Sequence, residues 1–344
     1  MKQALVNVMH SAGAFAPFRL ANRAKTLIVM YHRFSETEDG RSTSARCFSE
    51  QLDYLSEHYR IVPLSELAGY LTRGIPVPPG LAVITIDDGY RDCYDIALPL
   101  LRERNIPATA FVVTGFVDRA TWLWTDKVRY LTARASGSLL ETHIEDQSLR
   151  IKLDGRHSRL KGADRVNTEL KLIPDEAKDD AILEIAASLG VSLPENPPDE
   201  FQPLTWDQVR EMDSSVIEIG SHTVTHPILT QTGSKQLRYE LCDSRSRLEG
   251  ELGRTVDLLG YPNGNHDIAV QDEASRAGYK CAVTAEYGLN NGNSNPLALK
   301  RIHTEHDLAH FVKNTSGFEQ FRHRLTHLRG GAVMLALDHT TNLW

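Results

Sequence analysis

A parallel α/β fold is predicted by two observations: short apolar runs alternate with helical patterns along most of the chain, and no short internal repeat is visible. Several of the apolar runs end in polar or charged residues, which places candidate chemistry at strand ends. At 344 residues the chain can bury a sizeable core, and its 41% hydrophobic and 24% charged content fits a globular protein. A net charge of −7 argues against a nucleic-acid partner, which needs a basic surface. No apolar run is long enough for a spanning helix. Cys47, Cys93, Cys242 and Cys281 lie far apart without CxxC spacing, so free thiols are expected.

Residues 1–25 read as a basic, apolar leader, with Lys2, Arg19, Arg23 and Lys25 and no acid before Glu36. Asn7 and His10 interrupt its apolar stretch, and Pro17 follows the AxA-like Ala14-Phe15-Ala16, against a cleaved signal peptide. A cytoplasmic location is expected, with peripheral membrane contact through this leader as the alternative. The main domain then spans 26–344. TLIVMYH (26–32) is a strand, and Phe48, Leu52 and Leu55 mark a helix from Ala45 to Tyr59. IVPL (61–64) reads as a strand before a helix from Ser65 to Arg73, closed by Gly74. LAVITIDD is a buried strand, Gly89 a turn, and Asp92 to Arg104 a helix, followed by the strand-like TAFVVTG (109–115).

From about 120 to 203 the alternation fails, and the segment ends in the proline-rich PENPPDEFQP. It reads as a polar, partly helical insertion over the mouth of the domain. Thr205 and Gln208 form a capping box for a helix ending near Ser214. VIEIGSH (216–222), a helix from Ser234 to Leu252 before Gly253, and the strands VDLLGYP (256–262), YKCAVT (279–284) and AVMLALDH (332–339) complete the series.

Adjacent carboxylates at a buried strand end, Asp87 and Asp88, repel unless a cation or shared proton offsets them. GSHTVTHP places His222 and His226 four apart after another strand, a spacing that lets two imidazoles grip one ion if the chain turns once. Two histidines and one aspartate suit zinc or a similar divalent metal with open positions for water and substrate. The second carboxylate would then be free to take a proton from the attacking water.

TIDDG (85–89) resembles the TFDDG motif of the polysaccharide deacetylases, the NodB-homology or carbohydrate esterase family 4 domain, and SHTVTHP resembles their H(S/T)xxH motif. The similarity extends over residues 26–119 and 204 to about 320. It implies a distorted (β/α) barrel, Asp87 as catalytic base, and Asp88, His222 and His226 as ligands of one divalent metal ion, most naturally Zn2+. GYPNG (260–264) resembles the third motif, usually RxPYG, with Gly260 in place of the arginine that orients the base and Asn263 in place of the tyrosine. The Asn263 N–H can still serve the oxyanion, because that role does not need its side chain. Arg301, in LALKRIH, is the candidate replacement for the arginine, with a surface cation as the plain alternative; a place in substrate binding is also open to it.

The general acid that the resemblance requires is His32, ending VMYH as in the exopolysaccharide-deacetylase branch, with His339 as the competing candidate. Tyr261 is a candidate stacking surface for sugar. The expected activity is metal-dependent hydrolysis of the N-acetyl group of an amino sugar, in a polysaccharide or its biosynthetic intermediate, with an N-acetylated glycan as partner. The alternatives are a related amidohydrolase or O-acetyl esterase on a smaller substrate, and an inactive glycan-binding module.

Overall fold

The computed structural model describes residues 3–322. Among these, seven strands close into a barrel: β1 (Leu27–Tyr31), β2 (Leu81–Ile86), β3 (Ala108–Val112), β4 (Ile217–Ser221), β5 (Leu258–Gly260), β6 (Cys281–Tyr287) and β7 (Leu299–His303). Neighbours around the ring follow chain order, and β1 closes it by pairing with both β2 and β7. All of these pairings are parallel. A two-residue strand, Arg60–Ile61, pairs in parallel with the first two residues of β2, Leu81 and Ala82.

Strand residues alternate between two apolar layers, as the period-2 geometry of a strand requires. Leu27, Val29, Ile84, Ile86, Ile217 and Ile219 pack outward against the helices, in one cluster with Phe48, Leu52 and Leu55 of the helix Ala45–His58. Ile28, Val83, Phe111, Leu258, Val283 and Leu299 pack together as the opposite set. His32, Asp87 and Arg301 share the parity of Ile28, Val83 and Leu299, so they continue this inner layer toward the strands' C-terminal ends.

Several boundaries differ from expectation for local reasons. The strand expected over 61–64 stops at Ile61, because Pro63 lacks an N–H for the ladder and instead precedes a helix over Leu64–Thr72. The helix expected over 92–104 begins as a wide turn, Cys93–Ala97, before Leu98–Arg104. Pro99 cannot donate to the carbonyl four residues earlier, and its ring would clash there. The helices Ile268–Arg276 and Leu308–Thr315 were not expected as elements, and β7 gives bounds to the further strand on which Arg301 was expected. AVMLALDH and His339 lie outside the described residues.

The insertion is more ordered than its polarity suggests. Helices Trp124–Arg134, Arg156–Leu170 and Lys178–Leu189 pack with an antiparallel hairpin, Leu139–Ile144 and Gln147–Lys152, around a core of its own that includes Val128, Leu131, Val166 and Ile185. Its polar look comes from half-buried elements: in the first hairpin strand Leu140, Thr142 and Ile144 are buried while Glu141 and His143 are exposed. The Trp124 indole donates to His226 O (3.3 Å), and Gln231 donates to Lys171 O (2.5 Å), tying the insertion to the loop after β4.

The N-terminal segment, expected as a leader outside the domain, packs onto it from residue 3. Val6 of the helix Gln3–Ser11 and Phe15 join the outer core, and Phe15 meets Phe318 edge to face at 5.4 Å. No helix among the described residues is long and apolar enough to cross a membrane. Because Phe15 is 1% exposed, Phe15→Ala is expected to lower unfolding stability by about 3–5 kcal/mol in denaturant titration. An unchanged midpoint would show that this segment is dispensable to the core.

Candidate active site at the C-terminal ends of the strands

β2 runs straight into the two carboxylates. Asp87 N–H donates to Tyr31 O (2.9 Å), which extends the ladder with β1 and fixes the direction of the Asp87 side chain. Asp88 and Gly89 then both take left-handed backbone, φ 78° and 85°, and turn the chain away. A Cβ at Gly89 would also press on the Val112 side chain at 3.2 Å. This turn sends Asp87 and Asp88 to different partners.

Asp87, 2% exposed, is gripped by Arg301, 1% exposed. Nη1 donates to Oδ1 at 2.7 Å and Nη2 to Oδ2 at 2.8 Å. The guanidinium is held in turn, with Nε donating to Thr284 O (2.7 Å) and Nη1 to Thr85 Oγ1 (3.1 Å). His32 Nε2 lies 3.8 Å from Asp87 Oδ2. Burial would raise the Asp87 carboxyl, but Arg301 foremost, with His222 and His32, holds it below the usual carboxylate range. His32 moves down from the ordinary imidazole value, because burial outweighs the attraction of Asp88 and Asp87.

Asp88, His222 and His226 offer ligand atoms that all lie within 4.8 Å of one another. Asp88 Oδ1 is 3.5 Å from His222 Nε2 and 3.4 Å from His226 Nε2. Donor atoms of a tetrahedral site with bonds of about 2.1 Å stand about 3.4 Å apart, so the set fits a small divalent ion. His222 Nδ1 donates to Gly260 O (2.7 Å), which leaves Nε2 as the ring atom facing Asp88. Burial lowers the His222 pKa, but the hydrogen bond to Asp88 and the charges of Asp87 and Asp88 carry it above its ordinary value. Burial pushes Asp88 up, and the bonds to His222 and His226 bring it well below the carboxylate range. The loop bearing both histidines is docked on the chain after β3, where Thr114 and Gly115 N–H donate to Thr223 O (3.0 Å) and Val224 O (2.9 Å). Only glycine fits at 115, since a Cβ would stand 2.6 Å from Val224 O.

Gly260 cannot carry the arginine of the family motif. A Cβ there would lie 2.9 Å from both His222 Nδ1 and Phe111 Cγ, inside the anchor of the histidine. The guanidinium comes instead from β7. The expectation of a substrate-binding role for Arg301 is corrected by its burial and by its bidentate hold on Asp87. Tyr261 is corrected too: it is fully buried, its hydroxyl donates to Leu297 O (3.0 Å), and it has no face to offer a sugar. Asn263 is exposed in a left-handed turn, φ 56°, three residues beyond the Gly260 carbonyl that holds His222.

One neighbour escaped sequence reasoning. His303 lies two residues after Arg301 on the same strand, so the two share a face, and burial, then the charge of His32, pushes it down to about 4. The alternation in KRIH was the available signal.

The comparisons with known proteins agree with this geometry. YxkH of Bacillus subtilis (strain 168), itself assigned to the polysaccharide deacetylases, is 29% identical over 280 residues, covering 81% of this chain and 71% of the relative. The Streptococcus pyogenes deacetylase PplD, solved with acetate, superposes with a TM-score of 0.56 at 20% identity, over 85% of this chain and 98% of that one. IcaB from Ammonifex degensii gives a TM-score of 0.56 at 20% identity, over 85% and 97% of the two chains. These two share the barrel fold. The sequence model of the family described as polysaccharide deacetylase matches residues 74–282, which include Asp87, Asp88, His222, His226 and Asn263. The chain therefore belongs to the polysaccharide deacetylase family, hydrolases that remove acetyl groups from polysaccharides.

Proposed function

We propose that this protein hydrolyses the N-acetyl group of an amino sugar, in an exopolysaccharide or its biosynthetic intermediate, with the help of one divalent metal ion, zinc being the best match. The observation that carries the reading is the pairing of two sets: Asp88, His222 and His226 at ligand spacing, and beside them Asp87 clamped by Arg301 within reach of His32. An ion held by Asp88, His222 and His226 would supply Lewis acidity toward the amide carbonyl and the attacking water.

The chain's own residues perform the proton transfers. Asp87 takes the proton of the water; Arg301 keeps it ionised and oriented. The water oxygen bonds to the acetyl carbon, and the developing oxyanion is received by the Asn263 N–H. His32 gives a proton from Nε2 to the amine as the C–N bond breaks, so acetate and a free amine leave. His32 enters the step protonated; its lowered pKa makes it a stronger acid toward the amine, and the proton then held by Asp87, 3.8 Å away, restores it for the next turnover. A cytoplasmic biosynthetic intermediate is part of the same reading. So is peripheral contact with an anionic membrane surface, supported by exposed Leu5, Val8 and Leu20 in a segment that carries Arg19 and Arg23.

Elemental analysis after identical dialysis is expected to find about one transition metal per chain in the parent and none in His226→Ala. A parent without metal after zinc reloading would sink the proposed mechanism. Arg301→Met is expected to lower kcat for acetate release from N-acetylated oligosaccharides by about 10²-fold, with a smaller change in KM, since the base loses its orientation. It should also lower stability by about 3–5 kcal/mol, because Asp87 is left charged and buried without a partner. The double variant Asp87→Asn/Arg301→Met should recover much of that stability and none of the activity. Near-parent kcat in Arg301→Met would remove the clamp from the mechanism.

A further inference from the structure

The loop from His222 to His226 is held in a conformation its residues do not prefer. Thr223 and His226 both have left-handed backbone, φ 70° and 61°, and neither is glycine. Each such residue costs about 1–3 kcal/mol and persists only where its surroundings over-determine it. Thr223 Oγ1 accepts from His226 N–H (3.1 Å), which closes the turn from within. Val224 and Thr225 lie between these two residues, and their N–H groups are met from outside the turn.

The group that meets them is Glu240. It lies in the second turn of the helix Ser234–Leu252 and is 1% exposed. Its Oε2 accepts from Val224 N–H (2.8 Å) and from Thr225 N–H (2.9 Å), and its Oε1 accepts from Thr225 Oγ1 (2.6 Å). Among the described residues no lysine, arginine or histidine forms an ion pair with it. Burying a carboxylate without a cation is costly for the fold alone, and these three bonds all go to residues between the two histidines. The same two residues follow Thr223, whose carbonyl is held by Thr114 from the other side, so the turn is pinned between two elements.

We propose that Glu240 is a positioning residue for the His222/His226 pair: its carboxylate sets the 223–226 turn, so that both Nε2 atoms face Asp88 before any ion arrives. The role rests on the metal-site reading above. Preorganisation of this kind appears as metal affinity, because an ion binding to a loop that must first be ordered gives up that ordering free energy. Glu240 touches neither ligand ring, which makes it a support rather than a ligand.

The test measures zinc affinity of the full chain by competition with a chromophoric chelator, together with thermal unfolding of each apoprotein. Glu240→Ala is expected to weaken zinc binding by about 10–100-fold. Glu240→Gln should restore most of the affinity, because its amide oxygen can accept the two backbone N–H groups and Thr225 Oγ1 can accept from its nitrogen. Thr225→Val, which deletes one of the three bonds, should lose several-fold. Parent-like zinc affinity in a folded Glu240→Ala, or a Glu240→Gln as weak as Glu240→Ala, overturns the role. If Glu240→Ala does not fold, unchanged affinity in Thr225→Val overturns it. A parent that binds no zinc is a separate failure, read before any variant is compared: it overturns the metal site and the positioning role with it.

Discussion

Closure of the barrel at β1 is the constraint on which the rest depends. β1 is the first strand of the ring, yet it hydrogen-bonds to β2 on one side and to β7 on the other. Its five-residue register with β2, Leu27 to Tyr31 against Ala82 to Ile86, fixes how far each strand rises before its polar residues begin. Tyr31 pairs with Ile86, so the next residue on each strand, His32 and Asp87, emerges at the same height. β7 is set against β1 by Val29 with Ile302, which turns Arg301 to the inner face, and its long side chain reaches up to Thr85 and Asp87. A slip of one residue at any of these seams would turn His32, Asp87 or Arg301 outward into the helix layer.

The site that closure creates is expensive, and its charges are arranged so that each offsets another. Two buried carboxylates side by side would each resist ionisation, since burial raises both. Separation by the left-handed turn at Asp88 and Gly89 solves this by giving each its own counter-charge. Asp87 has the guanidinium, while Asp88 has two imidazoles, which also suit an ion. The two aspartates therefore differ in electrostatic setting because they differ in partner, although the sequence presents them as a symmetrical pair. His32 and His303 show the other side of the same balance: burial first, with Arg301 adding to it, holds both down from the ordinary imidazole value.

How much of this was legible in the sequence follows from range. The strands carrying Asp87, Asp88, His222 and His226 could be read locally, because an apolar run, a turn residue and a polar pair sit within ten residues of one another. The source of the arginine could not, since Gly260 announces only that a side chain is missing, and Arg301 is joined to Asp87 by barrel closure rather than by spacing. Tyr261 misled for a related reason. Its position after a strand is that of a ligand-facing aromatic, but its hydroxyl is taken by Leu297 O, a long-range partner that spacing does not disclose. Polar composition hid the core of the insertion, since half-buried hairpin strands and helices keep every second or third residue for water. The N-terminal segment looked like a leader because its apolar residues had no visible partner, and Phe318 lies near the other end of the described chain.

The loss of the arginine at position 260 has a structural logic beyond its replacement. In this chain the backbone of Gly260 anchors His222, and the space a Cβ would need is filled by that imidazole and by Phe111. β5 therefore supports the histidine side of the site while β7 supports Asp87, and each strand can be tight because it serves one group. A guanidinium on β7 also gains two further acceptors, Thr284 O from β6 and Thr85 Oγ1 from β2, so Arg301 stitches three strands together beside Asp87. A residue on β5 could not do that and still leave its carbonyl against His222. The glycine at 260 and the arginine at 301 thus support different groups: one leaves room for the His222 anchor, and the other holds Asp87 from β7.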